Sequence, residues 1–293
     1  MERVIGFLNY RFIAIGLSFA IFILFITSIF IKGGLNWGID FVGGVKIIAK
    51  FEKDVNISHI RSELNKNNIP ALVQQIGKDE QNEYIIATKL LEGRSSAESS
   101  QTLNTILEKG FKNIEFMSVE TVGPAIGDFL RKTAVKLFVV ALVLITFYLT
   151  FRFEFKFSVG AIAALIHDIS LSVAFCGMMG LEINIPVIAA FLTIFGYSVN
   201  DTIVIFDRIR ENIEVKSKQT FIEVINKSIS QSISRTLLTS LTTLFAVLAL
   251  YILGGDVIND FALVLLFGIF VGTYSSIYIA SPVLLGWERI FSK

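Results

Sequence analysis

The sequence predicts an α-helical membrane bundle of six transmembrane helices with an extracytoplasmic α+β ferredoxin-like domain between spans one and two. Three observations lead there: an apolar content of 53% with mean hydropathy +0.67, six apolar runs long enough to cross a bilayer, and an uneven spread of charge. Charged residues make up 17% of the chain, against about a quarter in a soluble domain. Residues 33–132 hold 25 of them in 100 positions, and the other 193 positions hold 26. The first density is that of a water-soluble domain and the second that of a membrane bundle. The chain therefore divides into residues 1–32 (N-terminus and first span), 33–132 (outer domain) and 133–293 (spans two to six, with an amphipathic cytoplasmic loop over 207–235).

A hydrocarbon core roughly 30 Å thick needs about 20 apolar residues to cross it. Phe12–Ile31 has 20 residues without a charge, too long for the apolar region of a cleaved signal and followed by no small-x-small site, so it reads as a retained anchor. The remaining runs are Thr133–Phe151, Phe157–Gly180, Pro186–Phe206, Thr236–Gly255 and Phe261–Trp287. Lysines and arginines of the short connections set the orientation. One side carries Arg3, Arg11, Arg152, Lys156, the run from Arg208 to Arg235, Arg289 and Lys293, whereas Leu181–Ile185 and Asp256–Asp260 on the other side have none. Both termini are expected in the cytoplasm and the outer domain outside it.

Within the outer domain, Lys46–Phe51, Ala71–Ile76, Tyr84–Leu90 and Phe111–Val122 read as strands. Ser58–Asn67 and Ser95–Lys109 carry apolar residues at helical spacing. The order strand–helix–strand–strand–helix–strand is the split βαβ arrangement. In the cytoplasmic loop, Phe221, Ile222, Ile225, Ile229 and Ile233 recur at helical spacing, and Thr220 with Glu223 forms a capping box. This helix either lies on the membrane surface or packs on the bundle.

Acidic residues at membrane depth cost about 2.5–3.5 kcal/mol on insertion scales, so each is a candidate for function. Asp168 sits in the third span next to His167, on a small-residue face with Gly160, Ala164 and Ser172. Asp201 sits in the fourth span beside Asn200 and shares a face with Gly196 and Tyr197. Arg235 starts the antiparallel fifth span, below a polar ladder of Thr239, Thr242 and Thr243. A pair between Asp201 and Arg235 would keep the carboxylate ionised, and its separation would favour protonation. Buried pairs also simply lock helices together, and His or Asn can serve as interhelical glue. The turn Gly38, Asp40, Gly43, Gly44 either is a hinge or docking element or is a plain turn that uses glycine freedom and an aspartate cap.

Several classes are disfavoured. Net charge of +1 and the lack of a basic, aromatic-lined groove speak against nucleic acid. No Walker A loop is present. The two histidines, His59 and His167, lack metal-ligand spacing. The flanks of Asp168 and Asp201 lack the G-x-G-D turn of an intramembrane protease. Neither an enzyme nor a cofactor is expected, and Cys176 has no disulfide partner.

Two stretches carry a family resemblance. Gly38-Ile39-Asp40-Phe41-Val42-Gly43-Gly44 resembles the segment that opens the outer domain of SecD and SecF export proteins. The stretch from Gly196 to Asn212 resembles the SecF fourth-span signature, and His167-Asp168, Ser234-Arg235-Thr236 and Thr239-Ser240 also match that family. The resemblance implies a SecF-type subunit paired with SecD as a separate chain. It implies association with the SecYEG channel and SecA in a bacterial cytoplasmic (inner) membrane. The proton-motive force would then promote passage of translocating polypeptide, with Asp201 and Arg235 in the proton-coupling positions. The alternatives are a non-transporting scaffold of the export complex and an RND-like half-transporter for lipid or small molecules.

Overall fold

In the computed structural model, which describes residues 4–52, 55–76, 82–91, 93–215 and 219–291, six helices are long and apolar enough to cross a membrane. Arg3 and Lys293 of the orientation argument lie outside the described residues. The spans are α1 (Arg11–Ile31), α5 (Pro124–Arg152), α6 (Phe155–Met179), α7 (Ile185–Glu214), α8 (Phe221–Leu253) and a last span built from α9 (Asp256–Ser275), a π turn (Ser276–Ala280) and α10 (Ser281–Phe291). Between α1 and α5 come α2 (Ile39–Val42), β1 (Gly44–Lys50), α3 (Ile57–Lys66), β2 (Ala71–Ile76), β3 (Glu83–Lys89), α4 (Ser96–Gly110) and β4 (Glu115–Val122).

The four strands form one antiparallel sheet in the order β2-β3-β1-β4, the ferredoxin-like order. Alternation decides its two faces. Val45, Ile47 and Ala49 pack with Ile86 under Ile60 and Leu64 of α3 and Leu103 and Leu107 of α4. Lys46, Ile85 and Ala87 point the other way, towards the bundle. Each helix starts where the sequence offers a cap: Asn56 for α3, and a full Ser95–Glu98 capping box for α4.

Several boundaries differ from the sequence reading, β4 for one beginning at Glu115 rather than Phe111, and three of the differences bear on packing. α5 begins at Pro124, nine residues before the apolar run at Thr133, because proline suits a first helical position and Gly127 lets the helix pass against Phe41 and Gly43. The connection read over Asp256–Asp260 is already helical from Asp256. α8 is one continuous helix of 33 residues. Its first turns are not a separate surface helix, since Ile225 and Ile229 are buried against Leu8, Phe206 and Ile209. The Thr220–Glu223 box caps it as read.

Inside the bundle, one apolar cluster gathers Phe157, Ala161, Phe206, Ile225 and Leu284, and a second, next to the outer domain, gathers Val187, Phe191, Ile194, Val247 and Leu265. The residues of α6, α7, α8 and the last span that fall between these clusters include Asp168, Ser198, Asp201, Thr202, Thr236, Ser240, Thr273, Ser275 and Ser276. A polar layer is thus sandwiched between two apolar ones. The π turn contributes to it, because one extra residue per turn changes which side chains face inward. Ser281 Oγ donates to the Ser276 carbonyl, and Gly160 of α6 lies close to the Ala280 carbonyl.

At the opposite end from the outer domain, Phe7–Tyr10 forms a short 3-10 turn ahead of α1. Its Leu8 is fully buried, and its N–H donates to Asn226 Oδ1 of α8 at 2.9 Å. Replacing Asn226 by Ala strands this buried N–H and is expected to cost about 1–3 kcal/mol. Thermal unfolding of the purified protein checks this, and an unchanged midpoint would show that the N-terminal turn contributes nothing to the bundle.

Candidate functional site

Two clusters of polar residues stand out, one within the bundle and one where the outer domain meets it.

Asp201 lies midway along α7 and is 4% exposed. Its Oδ2 lies 3.1 Å from the Ser240 hydroxyl of α8 and 2.9 Å from the Thr273 hydroxyl of α9, and those two hydroxyls are 2.8 Å apart, so their two protons are shared among the three contacts. Next to it, Thr202 bonds Ser276 at 2.9 Å. Asp168 on α6 is fully buried. Its Oδ1 meets His167 Nδ1 at 2.8 Å, and its Oδ2 accepts from Ser198 of α7 at 2.6 Å and Ser275 of α9 at 2.7 Å. Both carboxylates therefore depend on hydroxyls supplied by other helices, which lowers the cost of a buried charge.

The expected contact between Asp201 and Arg235 is not made in this structure. Arg235 is exposed and forms no ion pair among the described residues. The reason is helical phase. Ser240, five residues on, is the α8 residue that faces Asp201, and five residues turn a helix by roughly 140° and advance it about 7.5 Å. The threonine ladder is also turned away: Thr239 and Thr242 bond carbonyls of their own helix, and Thr243 reaches Tyr197. Asn200 is exposed on the opposite side of α7 from the Asp201 network, as is Gly196. Asp207, Arg208, Arg210 and Glu211 form surface pairs at the helix end, Arg152–Asp207 and Arg208–Glu211 among them.

The second cluster is a seam. Gly38 N–H donates to the Ile183 carbonyl, and Ile183 N–H donates to the Asn36 carbonyl, each at 2.8 Å, so this segment pairs with the α6–α7 connection. Asp40 does not cap its own turn. Its Oδ2 accepts from Ile185 N–H at 3.0 Å, closing the first turn of α7 beside the Asn184 cap on Val187. Gly43 has φ +78, and a Cβ at Gly44 would overlap the Thr88 carbonyl of β3. The glycines of this turn therefore meet both needs that glycine serves, one for conformation and one for close approach. Glu182 N–H donates to Asp260 Oδ2 at the start of the last span at 3.2 Å. A cavity of about 80 Å³ lies between Asp40, Lys46, Glu182 and Asp260. Burial holds the Glu182 proton affinity above the ordinary carboxylate range, and the neighbouring Asp40 adds to the effect.

Sequence reasoning found both carboxylates and the glycine turn but not their partners. Ser18, Thr273 and Ser275 carry no signal of their own, because hydroxyls are common in apolar spans, while Ser198 and Ser240 fall in the family-like stretches without a role being assigned to them. Glu182 and Asp260 stood only as ends of spans.

The architecture defines a class: a multi-pass membrane protein of six spans with a ferredoxin-like domain after the first and two carboxylates in its interior. The chain belongs to the SecD/SecF family of protein export membrane proteins. The family model "Protein export membrane protein SecD/SecF, C-terminal" matches residues 102–289, and the "SecD/SecF GG Motif" model matches residues 27–55. Among relatives, Protein translocase subunit SecF of Desulfurispirillum indicum is 39% identical over 97% of this chain and 92% of its own length. That of Vibrio alginolyticus is 40% identical over 97% and 90%. The crystal structure of SecDF from Thermus thermophilus, described as a translocon-associated membrane protein, superposes with a TM-score of 0.84 at 38% identity. It is covered over 39% of its length, so this chain spans about two fifths of that longer protein, while 98% of this chain is matched.

Two outcomes test the seam. Gly44→Ala forces β1 away from β3 and is expected to cost about 1–3 kcal/mol; a fully stable Ala variant would show that the strand yields freely. Glu182 binds its proton more tightly folded than unfolded, so stability should fall as pH rises from about 4.5, its ordinary value, through its higher folded value. Glu182→Gln should flatten that slope and raise the neutral-pH unfolding midpoint, and a slope identical to the parent protein's would assign it to other groups.

Proposed function

We propose that this chain is the SecF-type subunit of a protein translocase, working with SecD as a separate polypeptide. Beside the SecYEG channel and SecA, it uses the proton-motive force to promote passage of translocating polypeptide across a bacterial cytoplasmic membrane. Its termini are cytoplasmic and its outer domain extracytoplasmic, as the lysine and arginine distribution supports. It performs no enzymatic chemistry of its own and needs no cofactor.

The observation that carries this reading is the polar layer. Asp201 and Asp168 sit at membrane depth, Asp201 held by hydroxyls and Asp168 by hydroxyls and His167, with no lysine or arginine bonded to either among the described residues. Hydroxyls donate to an ionised carboxylate and accept from a protonated one, so proton gain at Asp201 does not force the network apart. One proton crossing the membrane releases about 2.3 kcal/mol per 100 mV, comparable with a few such hydrogen bonds. Arg235 takes part in a different state from this one, approaching Asp201 when α8 turns or when the partner subunit closes over it. His167 and Asp168 form the second carboxylate node, and Asn200 belongs to the partner-facing surface.

Association with a SecD bundle is supported by the outward stripe of Gly196, Asn200, Arg235, Thr239 and Thr242 on α7 and α8. Polar groups facing hydrocarbon are costly, and a second bundle would cover them. The turn of Gly38, Asp40, Gly43 and Gly44 is the docking element, since it bonds the outer domain's first segment to the start of α7. Movement of α7 then reaches the outer domain without a flexible linker between them. A lipid or small-molecule half-transporter is less well supported, because the space between sheet and helices is filled by Val45, Ile47, Ile60, Leu64, Leu103 and Leu107.

Asp201→Asn tests the function. In vesicles carrying the channel, SecA and the SecD partner, the variant should lose proton-gradient stimulation of export completely while still co-purifying with SecD. Stimulation at the parent level removes Asp201 from the mechanism. Loss of co-purification would favour the scaffold reading instead.

A further inference from the structure

His167 occupies a position that the Asp201 network does not use. The ring lies between two helices. Its Nδ1 faces Asp168 at 2.8 Å, and its Nε2 hydrogen-bonds Ser18 Oγ on α1. Its side chain is 18% exposed, against 0% for Asp168. With Ser18 it forms part of the floor of an apolar groove of about 260 Å³ between α1 and α6, walled by Ile15, Phe19, Phe22 and Ile279.

From this geometry we propose that Ser18, His167 and Asp168 form a second proton-binding site, separate from Asp201, in which the imidazole carries the exchangeable proton. The inference rests on the proton-coupled reading of the bundle and adds a site and a residue, Ser18, to it.

Charge balance is the first argument. Asp168 is surrounded by donors: Ser198 on α7, Ser275 on α9 and His167 on its own helix. With the His167 proton on Nδ1, all three groups can donate to Asp168 and hold it as a carboxylate. Among the described residues, its ring of neighbours holds no lysine or arginine. The titratable groups facing this region are His167 itself, Asp201 farther along α7, and Tyr274 and Tyr278 of the last span, whose Tyr274 hydroxyl is committed to the Ala14 carbonyl of α1 at 2.6 Å. Among the described residues, His167 is therefore the group in contact with Asp168 that can become a cation beside it.

Ser18 supplies the second argument. When the imidazole is neutral with its proton on Nδ1, Nε2 accepts from the Ser18 hydroxyl. When it takes a second proton, Nε2–H donates and Ser18 accepts. Rotation of one hydroxyl proton keeps both hydrogen bonds of the ring in either state, because a serine hydroxyl is donor and acceptor alike. The proton added is the only atom gained, and the pair goes from a single negative charge to neutral. A histidine serving only as helix glue needs no such reversible partner. Since Ser18 is on α1, which leads directly into the Gly38 seam, proton occupancy at this site bears on the helix that carries the outer domain.

The sequence offers a direct test, for it contains only two histidines, His59 and His167. The full-length protein, labelled with nitrogen-15 in histidine and reconstituted in lipid nanodiscs with its SecD partner, gives signals that are assigned with a His59→Gln variant. The expected His167 signal includes the imidazolium form within the range pH 5 to 8. In Asp168→Asn the ratio of imidazolium to neutral ring should fall at least tenfold, and in Ser18→Ala the Nε2 resonance should move while the Nδ1 resonance stays with Asp168. Asp201→Asn should leave the ratio within twofold, so that this site and the Asp201 mechanism stand or fall separately. A ring that stays neutral from pH 5 to 8 in the parent protein overturns the proposal. So does a ratio unaffected by Asp168→Asn in a variant that still assembles with SecD.

Discussion

Ionised carboxylates cannot remain at membrane depth without donors, and this bundle supplies those donors as hydroxyls from three different helices. That requirement orders the interior. Asp168 ties α6 to α7 and α9 through Ser198 and Ser275, and Asp201 ties α7 to α8 and α9 through Ser240 and Thr273. The apolar clusters on either side could slide or rotate at modest cost, since packing of leucine, isoleucine and phenylalanine is weakly directional. The hydroxyl–carboxylate contacts are directional and fix the register of α6, α7, α8 and the last span. The π turn at Ser276–Ala280 fits the same requirement, since it presents both Ser275 and Ser276 to the layer.

α7 links this layer to the outer domain. Its middle carries Ser198 and Asp201, and its first turn is closed by Asp40 from the segment that opens the outer domain. Glu182 and Asp260 extend that contact to the last span, which also carries Thr273 and Ser275. Two helices of the carboxylate layer thus also meet the domain, beside α5, whose Gly127 packs against Phe41 and Gly43. A rigid helix is a short path between a membrane carboxylate and an external surface, and both ends of α7 are committed by hydrogen bonds.

Much of the architecture was legible in the chain. Spans follow from length and apolarity, and the outer domain's strand and helix order follows from periods of two and of about 3.6 residues. The Thr220–Glu223 box was read correctly as a helix start because capping is local. What misled was contact at a distance. Asp201 and Arg235 have the right chemistry and similar depth, yet the phase of α8 turns Ser240 rather than Arg235 inward. Of the two readings open for the Gly38–Gly44 turn, the aspartate cap is not made, since the partner of Asp40 is an amide 145 positions away. The first turns of α8 carry the signature of a surface helix, but Leu8 and Phe206 cover that face.

By itself the sequence determined the number of spans, the place and class of the outer domain, and which acidic residues lie at membrane depth. These depend on local composition and on the cost of putting charge into hydrocarbon, both readable residue by residue. Tertiary structure alone decided which groups satisfy those charges, because a carboxylate's partners depend on the rotation and register of neighbouring helices. A turn of 100° per residue moves a side chain to another face, and no pattern within one helix records the phase of the next.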